Sequence, residues 1–372
     1  MNRKVWLLPA AALLASGLLL RAAAGDGESE RLVSLSYLNG TYTDSIQAKV
    51  DDRLDASDRA LRADAGKDSG GEAGVLVAEC ADVWTEQRLK EGDVLTGYTG
   101  LSFLTLAGNV TVSFSSGAVI DVTAGTAVSS GSALTANHRY LVAEDTTARF
   151  SVGSPTAAVS FQGYYTMTLS DSVDYNAMAG ALKTLHLFRG SFTGYGQGYD
   201  LEKAPTRLQA LIMFIRVLGE EDAALSWSGT LPFRDMERGS DAARYVGYAY
   251  QQGYTNGYTA SEWRPGLRVS VNQYTEFILR ALGYSSSANT ELSDALDRAQ
   301  DCGLLSREEA GGLGNQPFLR AQLVYLSYCA LETDTAGTGL TLGDLLLTKG
   351  VYTAEEAETA RSMVPSGRTL GA

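Results

Sequence analysis

The chain has 372 residues, enough for two or three domains with cores of their own. Its 43 acidic against 30 basic side chains give a formal charge of −13, which argues against nucleic acid and anionic lipid as partners. Three cysteines, Cys80, Cys302 and Cys329, are too few and too scattered for a disulfide framework; Cys302 and Cys329 are expected as buried structural thiols, with their pairing as the alternative.

Residues 1–24 read as a signal peptide. Asn2, Arg3 and Lys4 form a basic start, an apolar run extends from Val5 to Leu20, and Ala22, Ala23 and Ala24 supply a small-residue cleavage site. Its removal takes Arg3, Lys4 and Arg21 with it and moves the formal charge to −16. No other stretch is long and apolar enough to cross a bilayer, so no membrane span is expected after cleavage. No cysteine for lipid attachment follows the run and no sorting motif appears, so any wall attachment would be non-covalent.

Residues 25–74 read as a helical segment and linker. Ile46, Val50, Leu54 and Leu61 fall on one helical side, a stripe suited to a short coiled coil or to packing on the next domain. Self-association through residues 43–62 is one expectation from it. AGKDSGGEAG (65–74) has linker composition.

From residue 75 to 169 the texture becomes β. Alternation in SFLTLAG (102–108), VTVSFS (110–115), VIDV (119–122), YLVAED (140–145) and AVSFQG (158–163), with Gly and Ser turns between, predicts an antiparallel sandwich or barrel of seven to nine strands. His138 stands alone there, so no metal is expected. Tyr98, Phe103, Tyr140, Tyr164 and Tyr165 fit a core or sheet surface better than a sugar-binding face.

The C-terminal half repeats one unit three times: helix, glycine, loop, capped helix. The first helices are ALKTLHLFRG, YVGYAYQQG and ALDRAQDCG, closing on Gly190, Gly253 and Gly303. The second helices are TRLQALIMFIRVLG, SVNQYTEFILRALG and LRAQLVYLSYCALE. The distance from each glycine to Arg207, Val271 and Arg320 is 17, 18 and 17 positions. Thr206 with Gln209 and Ser270 with Gln273 are spaced as capping boxes, whereas Leu319 has no acceptor and predicts a less sharp start. Leu208, Leu211, Ile212, Ile215 and Leu218 form one apolar face. Val271, Tyr274, Ile278, Ala281 and Leu282 form its counterpart. Such units pack their faces on one another, since none buries its face alone.

These units resemble the S-layer homology modules of bacterial cell-surface proteins. The middle repeat carries PFRD (232–235), QQGYTNGY (251–258), WRPGLRVS (263–270) and FILRALG (277–283), with Asp241 where the family usually has tryptophan. The first keeps GYGQGY (194–199), PTRLQ (205–209) and IRVLG (215–219); the third keeps LRAQ (319–322). The likeness covers roughly residues 175–333 and divides the half into repeats at 175–230, 231–290 and 291–372, the last degenerate and ending in a helical tail. It implies an all-α pseudo-threefold unit whose inter-repeat grooves hold a secondary cell-wall polysaccharide attached to peptidoglycan. It also implies that Arg207 with Gln209 and Arg320 with Gln322 meet the polymer's acidic sugar, with Trp263 and Tyr258 lining a groove. At the corresponding position of the second repeat, Val271 has no charge to offer.

Chemistry beyond binding has little support. His186 reads as a packed histidine of the first helix, and no nucleophile elbow, zinc motif or phosphate loop occurs. No cofactor is implied and the chain does not read as an enzyme. The expected function is that of an exported cell-wall protein displaying a β-domain. The alternatives are a degenerate scaffold that binds no glycan, and a wall-glycan hydrolase with a scattered carboxylate pair.

Overall fold

The computed structural model of the chain describes residues 78–190, 200–285 and 292–364. The expected signal peptide, the segment at 25–74 with its stripe, the GYGQGY loop and the last eight residues lie outside the described residues.

Among the described residues, ten antiparallel strands form one sheet curled into a nearly closed barrel. They are β1 (Glu79–Lys90), β2 (Val94–Gly97), β3 (Ser102–Ala107), β4 (Val110–Ser113), β5 (Val119–Asp121), β6 (Thr126–Val128), β7 (Ser132–Ala133), β8 (Arg139–Val142), β9 (Ala148–Val152) and β10 (Thr156–Thr168). The number exceeds the expected seven to nine because β6 and β7, of three and two residues, are indistinguishable from turns by composition.

The long strand β10 closes the curl. Its first half pairs with β3, Phe161 opposite Phe103, and its last residues pair with β2, Tyr165 opposite Gly97. Gly163 lies between them at a φ of 124°, where a Cβ would sit 2.9 Å from the Leu101 Cα, so only glycine fits the bend. Strand alternation then points one set of side chains inward. Phe103 on β3 stacks on Phe150 of β9, ring centres 4.1 Å apart, with Leu95, Leu101 and Phe161 around them. The aromatics Phe103 and Tyr140 are core, as expected, while Tyr164 is exposed.

Ten helices occur among the described residues: α1 (Tyr175–Thr184), α2 (Arg207–Val217), α3 (Glu221–Leu225), α4 (Asp241–Gln251), α5 (Val271–Ala281), α6 (Ala295–Asp301), α7 (Arg307–Gly314), α8 (Arg320–Leu331), α9 (Leu342–Thr348) and α10 (Ala354–Met363). None is long and apolar enough to cross a membrane. Both expected capping boxes, Thr206 with Gln209 and Ser270 with Gln273, are formed. Helix α5 contacts both α2 and α8, and Tyr274, Ile278 and Leu282 of α5 share one core with Val324, Tyr325 and Tyr328 of α8.

Four expectations need correction. On α2 the face turned to that core is Ala210, Met213 and Val217, whereas Leu211 and Ile215, with Leu208, Ile212 and Leu218 beside them, pack toward α4 and Trp263. An apolar helix lying between two partners has two buried faces, and periodicity alone does not say which is central. The first helix ends at Thr184 rather than at Gly190, which leaves His186 beyond the helix at a φ of 61° and 3.0 Å from Glu356. Helix α8 begins as sharply as the others. The Gln322 side chain accepts from the Leu319 N–H at 2.9 Å, and the next two N–H groups are taken by distant carbonyls: Arg320 donates to Lys203 and Ala321 to Leu201. Of the two thiols expected to be buried, Cys329 is and Cys302 is only half-buried, and the two are not joined in a disulfide.

Barrel and helices pack as one unit. Arg88 of β1 donates to Glu202 at 2.8 Å and to Asn176 of α1 at 3.0 Å, and Thr156 of β10 donates to the same Glu202 oxygen at 2.7 Å.

Candidate inter-repeat groove

Arg207 is the first residue of α2, and its backbone is fixed by the loop that precedes α5. Its N–H donates to the Leu267 carbonyl at 2.6 Å, and the Leu208 N–H donates to that of Pro265 at 3.2 Å. The same loop receives the side chain. The guanidinium lies over the fully buried Trp263 ring, 4.7 Å from its centre, and its Nη2 donates to the Asn256 carbonyl at 2.5 Å. Thr255 joins the set at 3.5 Å and accepts from the Trp263 indole N–H at 3.3 Å. Burial pulls the Arg207 pKa down, and the nearby Asp235 charge opposes it. Nε and Nη1 keep donors directed at no protein acceptor among the described residues.

Asp235 holds the loop in shape. Its carboxylate accepts from the Trp263 N–H at 3.0 Å and from the Arg264 N–H at 2.7 Å. Burial raises its pKa, but these two amide bonds outweigh that and hold the acid below its ordinary value. Tyr258, 54% exposed, stands at the rim with the Arg264 guanidinium 4.0 Å above its ring. Arg207, Trp263 and Tyr258 are therefore gathered at one loop, but Trp263, expected to line a groove, is fully buried beneath the Arg207 guanidinium.

The other expected residues go elsewhere. Gln209 spends its oxygen on the Thr206 N–H and faces a small pocket shared with Arg320, Phe188 and Arg216. Arg320 is only 6% exposed, with Asp200 at 3.6 Å and the Phe188 ring at 5.5 Å. Gln322, 2% exposed, lines a third place, a cleft against the barrel. Val271 packs against the helical core. Sequence reasoning missed Thr255, Asn256 and the role of Asp235. The PFRD motif contained the last, but its amide partners lie 28 residues along the chain.

No protein-family model matches this chain, and no curated protein does.

Proposed function

We propose that this is an exported surface protein whose helical half consists of three S-layer homology-like repeats around a pseudo-threefold axis. In this reading the repeats bind secondary cell-wall polysaccharide non-covalently and the barrel is the displayed module. A repeated bond register supports the arrangement. Arg207 and Leu208 donate to the carbonyls three and five residues before the Ser270 cap, and Arg320 and Ala321 donate to those three and five residues before the Thr206 cap. The observation that carries the binding reading is Arg207, a half-buried guanidinium held over the Trp263 ring with donors to spare. A planar fork of this kind matches the carboxylate of an acidic sugar.

The scaffold reading also has an observation in its favour. Val271 offers only a half-buried apolar side chain packed against the core, and Arg320 is covered and paired with Asp200, so one of the three equivalent positions presents an open guanidinium. Co-sedimentation of the mature protein with purified sacculi, before and after the polymer is stripped, separates the two. Binding that needs the polymer and falls in Arg207→Ala supports the anchor; unchanged binding in the Arg207→Ala, Arg320→Ala double variant leaves the scaffold.

A further inference from the structure

A cleft of about 460 Å³ opens where the barrel's β3–β4 and β9–β10 turns meet the start of α8. Its size is that of a small-molecule site. On the barrel side Asn109 and Ser154 lock the two turns together: the Asn109 N–H donates to the Ser154 hydroxyl at 2.8 Å and the Gly153 N–H to the Asn109 carbonyl at 2.9 Å. That leaves the Asn109 side chain exposed at the rim, beside Glu91. On the helical side stand Glu202, Gln316 and Gln322.

Gln322 sets the chemistry. Its oxygen is committed to the Leu319 N–H, so the amide cannot turn over without losing the start of α8. Its Nε2 is buried and donates to nothing among the described residues. An amide N–H left unpaired in this way is costly and gains from an acceptor. The carboxylates need the reverse: Glu91 and the free oxygen of Glu202 accept. No lysine or arginine lines the cleft, and of its two carboxylates Glu202 is balanced by Arg88 while Glu91 has no cation in the lining, so an anion is disfavoured there. An ammonium group would suit the carboxylates but has no acceptor for Gln322. A hydroxyl donates and accepts on one atom and answers both demands without a charge. Pro155, Pro317 and Leu319 give apolar wall for the C–H faces of a ring.

We infer that this cleft between the barrel turns and the first turn of α8 is a binding site for an uncharged, hydroxyl-rich saccharide. It is separate from the Arg207 groove and has the opposite electrostatic preference. Glu202 already joins Arg88 and Thr156 of the barrel to the helical half, so the sugar would bridge both parts at their junction.

Calorimetric titration of the full chain tests this, with N,N′-diacetylchitobiose as the neutral probe and glucuronic acid and spermidine as acidic and cationic comparators. Saturable binding of the neutral sugar in preference to the other two is expected. Gln322→Glu keeps an oxygen for Leu319 and removes the donor, and should weaken that binding about tenfold or more, a loss equal to ~1.4 kcal/mol. Asn109→Ala, on an exposed turn, should weaken it several-fold and serves if the buried variant does not fold. The proposal is overturned if the neutral sugar shows no saturable binding, if only a comparator binds, or if the folded variants bind it as well as the parent. These titrations and the sacculus experiment fail independently, because one reads a neutral sugar at the barrel junction and the other reads polymer retention through Arg207.

Discussion

The Arg207 guanidinium rests 4.7 Å above the ring of Trp263, in the loop that precedes α5, and donates to the Asn256 carbonyl beside it. The ring contact and that bond hold the guanidinium in place through Nη2, while Nε and Nη1 donate to no protein acceptor among the described residues. Truncating an arginine that meets a half-buried carboxylate typically costs 2–5 kcal/mol of binding. Arg207→Ala is accordingly expected to lower sacculus retention by a factor of roughly thirty or more. Arg207→Lys should recover little of it, since an ammonium has no planar fork. Val271→Ala should leave retention unchanged. Retention measured across the three variants checks the order.

Arg320→Ala should reduce retention less than Arg207→Ala. Its guanidinium is covered and already faces Asp200, so a ligand would have to displace that contact. The larger consequence is expected in stability, where removing one member of a buried charged pair costs about 3 kcal/mol. Urea unfolding beside the sacculus assay separates the two effects.

Glu276 on α5 is 1% exposed and accepts from Arg280 at 3.1 Å, from Arg298 of α6 at 2.7 Å and from Ser285 at 2.6 Å. The buried carboxylate thus meets two guanidinium groups and ties α5 to α6, with Asp294 taking a second bond from Arg298 at 3.1 Å. Glu276→Ala is expected to destabilise the fold by ~3–5 kcal/mol. Glu276→Gln should cost less, because its amide oxygen still accepts. Denaturant midpoints of both variants decide the ranking.

Glu202 joins the helical half to the barrel through Arg88, whose side chain is 8% exposed, and through Thr156. Glu202→Ala is expected to cost about 3 kcal/mol and to loosen the junction specifically. Amide hydrogen exchange should accelerate around Arg88, Thr156 and Asn176 while the Phe103–Phe150 core keeps its protection. Uniform acceleration through the barrel would contradict a local role.

Asp235 links loop shape to pH. Its folded pKa lies below that of the unfolded carboxyl because the Trp263 and Arg264 amides donate to the ionised form. A depressed pKa gives a stabilising contribution that is present above the unfolded value of ~3.9 and is lost as pH falls through the folded value. Sacculus binding and Trp263 fluorescence should therefore hold at neutral pH and change together below about pH 4. Asp235→Asn should abolish that acid step and weaken the loop at pH 7. An unaltered acid transition in Asp235→Asn would assign the step to another group.

The sequence by itself determined what depends on short spans of chain. Strand alternation marked the region that becomes the barrel, and the three-residue spacings Thr206–Gln209 and Ser270–Gln273 placed two helix starts to the residue. A capping box closes within one turn, so no distant partner is needed. Tertiary structure decided which α2 face is central, how α8 starts without a capping side chain, and which expected site residues meet. Arg207 finds Trp263 56 positions away, and the Arg320 N–H finds the Lys203 carbonyl 117 positions away. Neither pairing leaves a local signature. The separation of Arg207 from Gln209 and of Arg320 from Gln322 does have a local cause. Residues two apart on a helix are about 200° apart around its axis, so they face different neighbours, and only the packing of repeats and barrel names those neighbours.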